Sequence, residues 1–434
     1  MNRIGIRHED KYSAERRAPL APEHVKKLTR ESGLQITIEH SAKRVFPDAS
    51  YEEAGAGLSA GLSDCPIVMG VKEIPAEAFE PEKTYIFFSH VIKGQPYNMP
   101  MLKRMMELKC SLIDYEKVED EMGRRLIFFG RYAGLAGMIN TLWSLGKRLS
   151  AKGIETPFAR LKQAVEYNSL AEAMEDISGV GSEIASDGLP SELLPLTIGF
   201  TGYGNVSNGA QEIAHLLPMQ EITPEALTKL ASQPNLPNNV IYKTVFKEHH
   251  LVEPLDEDGS FDLQHYYANP DQYRGVFHRY IDHLSVLVNG MYWDARYPRL
   301  LTKADLKKMY SEGEPKLQVI GDITCDVDGS VESTVKAAPV EDPVFVYHPD
   351  TGEITSGFTG HGMLMMTVDI LPTELPREST IAFGDALMPY MKAFAEADLS
   401  LPLEKLDIPA PFRRGMILHK GELTPDFAYI QQYL

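Results

Sequence analysis

Cysteine is scarce in this chain of 434 residues: three occur, Cys65, Cys110 and Cys325, with no CxxC pair and no Cys/His grouping at zinc-ligand spacing. That excludes a disulfide scaffold and argues against a bound structural metal. Basic residues are also in deficit, 43 Lys and Arg against 61 Asp and Glu, for a net charge of −18. Nucleic acid and anionic membranes both demand clustered cations, so neither is an expected partner, and any anionic ligand needs a local basic pocket. No apolar run approaches the roughly 20 residues that cross a bilayer. The N-terminus, MNRIGIRHEDKYSAERRAPL, is charged from its third residue and lacks the apolar core of a signal peptide, so it reads as a mature start and a cytoplasmic location is expected.

What is present is the composition of a globular protein, 43% hydrophobic and 24% charged. The length exceeds one ordinary core and predicts two domains. In the first part, short apolar runs at 3–7, 35–39, 67–71, 85–88 and 111–114 alternate with helical segments near 23–31 and 99–108. Strands alternating with helices predict a mainly parallel sheet covered on both faces. Residues 134–149 keep apolar positions at helical spacing and read either as a helix linking two domains or as an ordinary core helix. A second series starts at Leu196, with strands at 196–202, 219–222, 240–245, 285–289 and 317–320 and helices at 207–217 and 224–232. The fold class expected is therefore α/β, with two Rossmann-like domains built on parallel sheets. Residues 249–279 read as an insertion carrying a short helix or two; residues 381–395 have helical spacing and lead into a proline-containing tail.

The sharpest local signal is LPLTIGFTGYGNVSNGAQEIAHLL, an apolar strand that ends in Gly202-Tyr203-Gly204 and enters a helix. Glycines there permit a tight turn and a close backbone approach, so a pyrophosphate can rest on Gly202, Gly204 and the first helical turn, Asn205, Val206 and Ser207. The loop departs from GxGxxG, since Ser207 fills the third glycine's slot and Gly209 and Ala210 follow as small residues for helix–strand contact. A plain glycine turn is the alternative. Glu221 stands at the offset of an NAD ribose-binding acid, but Thr223 comes nearer the end of a strand that runs through Ile222. An acid would then be missing, which favours NADP over NAD.

Two further strands end in titratable residues: Val68-Met69-Gly70-Val71-Lys72-Glu73 and Tyr85-Ile86-Phe87-Phe88-Ser89-His90. Ligands in open α/β sheets bind beyond the carboxyl ends of strands, where a desolvated lysine and a histidine can exchange protons near neutrality. A solvated loop lysine and a satisfied turn histidine are the ordinary alternatives. Arg7, Arg16, Arg17, Arg124 and Arg125 recur near strand ends or helix starts, placed to grip carboxylates or simply to keep the surface soluble.

The segments IGIRHEDKYSAERRAPLAPEHVKKL, GVKEIP, FFSHVIKGQ, LIDYEKVEDEMGRRLIFFGRYAGLAGMIN, FTGYGNVSNGAQ, NGMYWDARYPRLLT and GDITCDVDGSVEST together resemble one family. It is the lysine–2-oxoglutarate reductase domain of the bifunctional aminoadipic semialdehyde synthases, within the wider alanine dehydrogenase, transhydrogenase and saccharopine dehydrogenase group. The resemblance implies a substrate domain from residues 1–139 and 376–434, a dinucleotide-binding Rossmann domain over 140–375, and an interdomain active-site cleft. It implies that Lys72 and His90 are the acid/base pair, in an order it does not assign. Arg17 and Arg125 match positions for substrate carboxylates, Glu73 and Glu116 acidic positions near the substrate amine, and Asp326 an aspartate beside the nicotinamide. The reaction implied condenses L-lysine with 2-oxoglutarate and reduces the imine with NADPH, NADH being the less favoured cofactor, to give saccharopine. The bifunctional enzymes continue into a saccharopine-oxidising domain whereas this sequence stops at Leu434, so a free-standing reductase or an excised domain is implied. A homo-oligomer and a separate saccharopine-oxidising enzyme are partners it leaves room for. The competing readings are an NAD-dependent saccharopine dehydrogenase that forms lysine, and a non-catalytic nucleotide-sensing module.

Overall fold

Short runs of aliphatic residues build the first sheet. In the computed structural model, which describes residues 1–256 and 258–434, they form β1 (Ile4–Ile6), β2 (Ile36–Glu39), β3 (Gly57–Ser59), β4 (Ile67–Met69), β5 (Thr84–Phe87) and β6 (Ser111–Asp114). These six lie parallel in the order β3-β2-β1-β4-β5-β6. Ile4, Ile6, Ile67, Met69 and Ile86 pack into one core with Val25, Leu28 and Phe383, and Val68, Tyr85 and Phe87 into another with Met99, Leu102 and Met105, so helices cover both faces of the central strands. The chain winds from β1 outward to β3 and then crosses back to β4, so the winding reverses between β1 and β4. A crevice at the carboxyl ends of strands is the usual result of such a reversal. The helix Pro22–Ser32 shows the local logic: Pro22 suits its first turn, Val25 and Leu28 face inward, and Gly33 ends it at φ +64°.

The chain divides into two units, residues 1–129 with 376–434, and residues 130–375. The first boundary, expected at 139/140, thus lies at 129/130. The reason is the helix Gly130–Ala151, which is continuous and packs against the helix Asn205–Ala214 and the strand Val319–Asp322 of the second unit. It is a core helix of that unit.

The second unit's strands are β7 (Thr197–Thr201), β8 (Met219–Glu221), β9 (Ile241–Phe246), β10 (Val252–Pro254), β11 (Tyr273–Gly275), β12 (Val286–Asn289), β13 (Val319–Asp322), β14 (Val344–Tyr347), β15 (Ile354–Ser356) and β16 (Met363–Met366). Its main sheet runs β15-β14-β16-β13-β12-β7-β9-β8, parallel from β16 to β8, with β14 and β15 antiparallel. Winding reverses at β7. The segment expected as an insertion holds short helices at Leu263–Ala268 and His278–Ile281 and, beyond the expectation, the separate antiparallel ladder β10-β11.

From Pro376 the chain returns to the first unit. The helix Pro376–Glu396 buries Phe383, Leu387, Met391 and Phe394 against the first sheet's core. The proline-containing tail is more ordered than its composition suggested: β17 (Met416–His419) pairs antiparallel with β6, and β18 (Glu422–Leu423) pairs with β17.

Candidate active site

In the first unit, the carboxyl ends of β1, β4 and β5 assemble a cluster of charged side chains. Glu73 follows β4 and is buried. Its Oε1 lies 2.8 Å from Nδ1 of His90 and 2.5 Å from Nζ of Lys11. Burial opposes its charge, but the His90 and Lys11 contacts outweigh that and hold its carboxyl down at about 2. A carboxylate only accepts, so His90 donates through Nδ1–H, and in the neutral ring Nε2 carries the lone pair. The second oxygen of Glu73, Oε2, is buried and has no hydrogen-bond partner among the described residues.

His90 itself sits at φ +51°, a left-handed conformation that is unusual for a residue with a Cβ. The surroundings hold it there. Asp114, buried at the end of β6, accepts from the Ser89 hydroxyl and from Ser89 N–H, while Asn98 donates from Nδ2 to the carbonyls of Ser89 and His90. The imidazole stacks on Phe88 with ring centroids 6.1 Å apart.

Lys72 is half-buried on the turn after β4, and no carboxylate lies within ion-pair distance of its ammonium among the described residues. Burial, with help from the nearby Arg17 charge, lowers its pKa. The turn is fixed by Glu9, just past β1, whose Oε1 accepts from Val71 N–H at 2.6 Å and Oε2 from Lys72 N–H at 2.9 Å. Burial and the charge of Glu15 push Glu9 up to about 7, against the pull of those two hydrogen bonds.

The expected carboxylate and amine binders are placed less simply. Arg17 is buried, and Glu15 takes its fork: Nε donates to Oε1 at 2.7 Å and Nη2 to Oε2 at 2.6 Å, so the pair does not use Nη1. Its guanidinium also stacks over Phe129, 4.3 Å from the ring centroid. Glu116 and Arg125 hold each other at 2.5 Å, so neither stands open. Of the other arginines, Arg7 pairs with Asp10, Arg124 with Asp120, and Arg16 donates to the Lys43 carbonyl. Glu9, Lys11 and Glu15 are the charged residues of this cluster that motif reasoning missed. Their one local signal is their place just after β1, which gains meaning only when β1 lies beside β4.

In the second unit, β7 runs into the glycine loop. Gly202 has φ +79°, and a Cβ there would stand 3.0 Å from the Met291 backbone; a Cβ on Gly204 would meet nothing within 4 Å. The helix Asn205–Ala214 makes its first backbone bond from Asn208 N–H to the Gly204 carbonyl, so the N–H groups of Asn205, Val206 and Ser207 are its open donors. A strand, a left-handed glycine, open space and a helix N-terminus make a cradle that fits a dinucleotide diphosphate. Below it, the buried Asp322 accepts from Asn289, Thr324 and Thr334, tying together the ends of β12 and β13. Asp326 lies exposed on the loop after β13.

Two expectations here are corrected. Gly209 serves a helix–helix contact rather than a helix–strand contact, since a Cβ on it would stand 2.3 Å from the Arg131 carbonyl of the helix Gly130–Ala151. Thr223 and Glu221 do not stand beside the glycine-loop strand, because β8 is the sheet's edge and β9 lies between it and β7. That puts β8 about 10 Å from β7. Thr223 caps the helix Pro224–Leu230 by accepting from Ala226 N–H, and Glu221 pairs with Lys243 at 2.7 Å.

This is the architecture of the alanine dehydrogenase group. Residues 5–136 match the family described as alanine dehydrogenase/PNT, N-terminal domain, and an L-alanine dehydrogenase structure superimposes with a TM-score of 0.63 at 18% identity, over 99% of each chain. In sequence the chain is also similar to the α-aminoadipic semialdehyde synthases. It is 40% identical to the one from Arabidopsis thaliana over 98% of its own length and 41% of the relative's. It therefore spans less than half of that relative. A saccharopine dehydrogenase (NAD+, L-lysine-forming) of Emericella nidulans is 26% identical, over 89% of this chain and 91% of that protein.

Proposed function

We propose that this chain catalyses the reductive condensation of L-lysine with 2-oxoglutarate to saccharopine, with NADPH as reductant. The observation that carries the reading is the Glu73–His90 pair, in which Glu73 shares the turn after β4 with Lys72 and His90 follows β5, beside the reversal point of the first sheet. Condensation needs a neutral ε-amine, hence a proton acceptor; loss of water from the carbinolamine needs a proton donor. His90, with Nδ1–H held on an ionised Glu73, offers Nε2 as the acceptor, and the carboxylate stabilises the imidazolium that forms. Lys72, its pKa lowered by burial, is the donor to the departing hydroxyl. The unpartnered Oε2 of Glu73 suits a substrate ammonium, and the Nη1 edge of Arg17, which the Glu15 fork does not use, a substrate carboxylate. Glu116 and Arg125 would bind substrate by exchanging each other for it. Bound at the glycine loop, NADPH supplies the hydride that reduces the imine.

The test is oxidation of NADPH by the purified chain, followed by the fall in nicotinamide absorbance. Turnover should require both L-lysine and 2-oxoglutarate and should yield saccharopine. The second reading, an NAD-dependent saccharopine dehydrogenase forming lysine, is favoured by the near-complete coverage of the Emericella nidulans relative. Silence with NADPH together with saccharopine-dependent reduction of NAD would select it.

A further inference from the structure

In an open α/β sheet the dinucleotide diphosphate lies over the first turn, and the adenosine ribose lies over the carboxyl end of the strand next to it, whose exit residue reads the 2′ position. In this chain that neighbouring strand is not the next one in sequence. β9 has taken the place beside β7, pairing from Thr197↔Tyr242 to Thr201↔Phe246, so one step further the same register sets Lys247 beside Gly202. Lys247 is exposed, and among the described residues no carboxylate lies within ion-pair distance of it. The adjacent acid is engaged elsewhere. Glu248 accepts from the hydroxyl of Tyr203, the middle residue of the glycine loop, at 3.0 and 3.2 Å, and from the hydroxyl of Tyr267 at 2.7 Å. Two phenol donors thus occupy the carboxylate that would otherwise take a ribose diol, and they fasten the glycine loop to the exit of β9. A lone cation is left at the position where an NAD-binding site carries its acid.

We infer that Lys247 reads the 2′-phosphate of the dinucleotide and that this residue, not Thr223, sets the preference for NADPH over NADH. The inference rests on the dinucleotide reading of the second unit given above. An ammonium facing a phosphate dianion gains a charge-assisted hydrogen bond that the 2′-hydroxyl of NADH cannot match.

Binding to the full chain tests this without turnover: NADPH and NADH by nicotinamide fluorescence, 2′,5′-ADP and 5′-AMP by calorimetry. Lys247→Ala should weaken NADPH and 2′,5′-ADP by about tenfold or more, the scale of one charge-assisted hydrogen bond, and leave NADH and 5′-AMP unchanged. Unchanged binding of the two unphosphorylated ligands also reports that the variant is folded. Lys247→Glu should reverse the preference, and Thr223→Ala should bind all four ligands as the wild type does. A 2′-phosphate preference that survives Lys247→Ala, or an equal loss for NADPH and NADH, overturns the inference and leaves the NADPH reading standing. A wild-type chain with no 2′-phosphate preference overturns the NADPH reading itself, and the role of Lys247 with it.

Discussion

Glu73 Oε1 receives Nδ1–H of His90 at 2.8 Å while His90 is held at φ +51°. The pair is geometrically costly to build, and the cost is met by the Ser89–Asp114 and Asn98 bonds around it. Glu73→Gln keeps the shape but lets the amide present its N–H₂ to the imidazole, which removes both the tautomer bias and the support for the imidazolium. The expected result is a fall in kcat on the order of 10²-fold. Because the two residues act as one unit, adding Glu73→Gln to His90→Ala should cost less than about threefold more. Additive losses in steady-state kinetics would show that Glu73 acts apart from His90.

Glu9 makes stability depend on pH in a definite direction. Its folded pKa is raised to about 7 from an ordinary 4.5, so the folded state holds the proton more tightly than the unfolded chain does. The contribution is fully present below the unfolded value and is lost as pH rises through about 7. Glu9→Gln abolishes this titration. The stability of the wild type relative to Glu9→Gln should therefore decline between pH 4.5 and 7.5, a comparison in which other raised acids such as Glu374 cancel. Paired urea titrations across that range measure it, and a flat or rising difference contradicts the assignment.

Arg17 and Glu15 form a buried bidentate pair, with side chains 3% and 0% exposed. Arg17→Met leaves Glu15 as a lone buried carboxylate and should cost about 3–5 kcal/mol in chemical denaturation. Removing both charges in Glu15→Met/Arg17→Met should recover most of that loss, since the desolvation penalty disappears with the pair. A cost below about 1 kcal/mol for the single variant would mean that the fork is not formed in solution. The double variant also separates folding from substrate capture, because a folded chain that fails to bind 2-oxoglutarate has lost the charged pair rather than its fold.

Some of this site was legible in the sequence because the information is local. A strand that ends in Gly202-Tyr203-Gly204 and enters a helix encodes its own turn, and Lys72 and His90 declare themselves as polar residues closing apolar runs. Glu9, Glu15 and Lys11 do not, since nothing in IRHEDKYSAERR marks them apart from other surface charges until β1 is laid beside β4. The same limit explains Thr223. Periodicity finds β8 and β9 but carries no record of which one pairs with β7, and the pairing decides which exit residue faces the ribose. The displaced boundary has a related cause: the helix Gly130–Ala151 has no internal breaker, so only its packing against the helix Asn205–Ala214 reveals where it belongs. β17 escaped notice because its partner β6 lies some 300 residues earlier in the chain, beyond any local pattern.

The glycines around the loop separate packing from ligand approach. A Cβ on Gly134 would stand 2.0 Å from the Val206 carbonyl and 2.8 Å from the Ala210 nitrogen, both backbone atoms of the helix that follows the glycine loop. Gly134→Ala must push two helices apart, and a loss of about 1–3 kcal/mol or more is expected, read as a lowered denaturation midpoint. Gly204 is the opposite case. Its φ is −82° and its Cβ would enter open space, so alanine there should cost less than about 1 kcal/mol, mostly through a poorer helix cap. That open space is where a diphosphate would approach the N–H groups of Val206 and Ser207. Gly204→Ala should accordingly weaken NADPH and NADH together, by about tenfold or more, while the fold persists. The common loss contrasts with Lys247→Ala, which should touch the 2′-phosphorylated ligands alone. Undiminished binding of both dinucleotides to Gly204→Ala would place the diphosphate away from this loop.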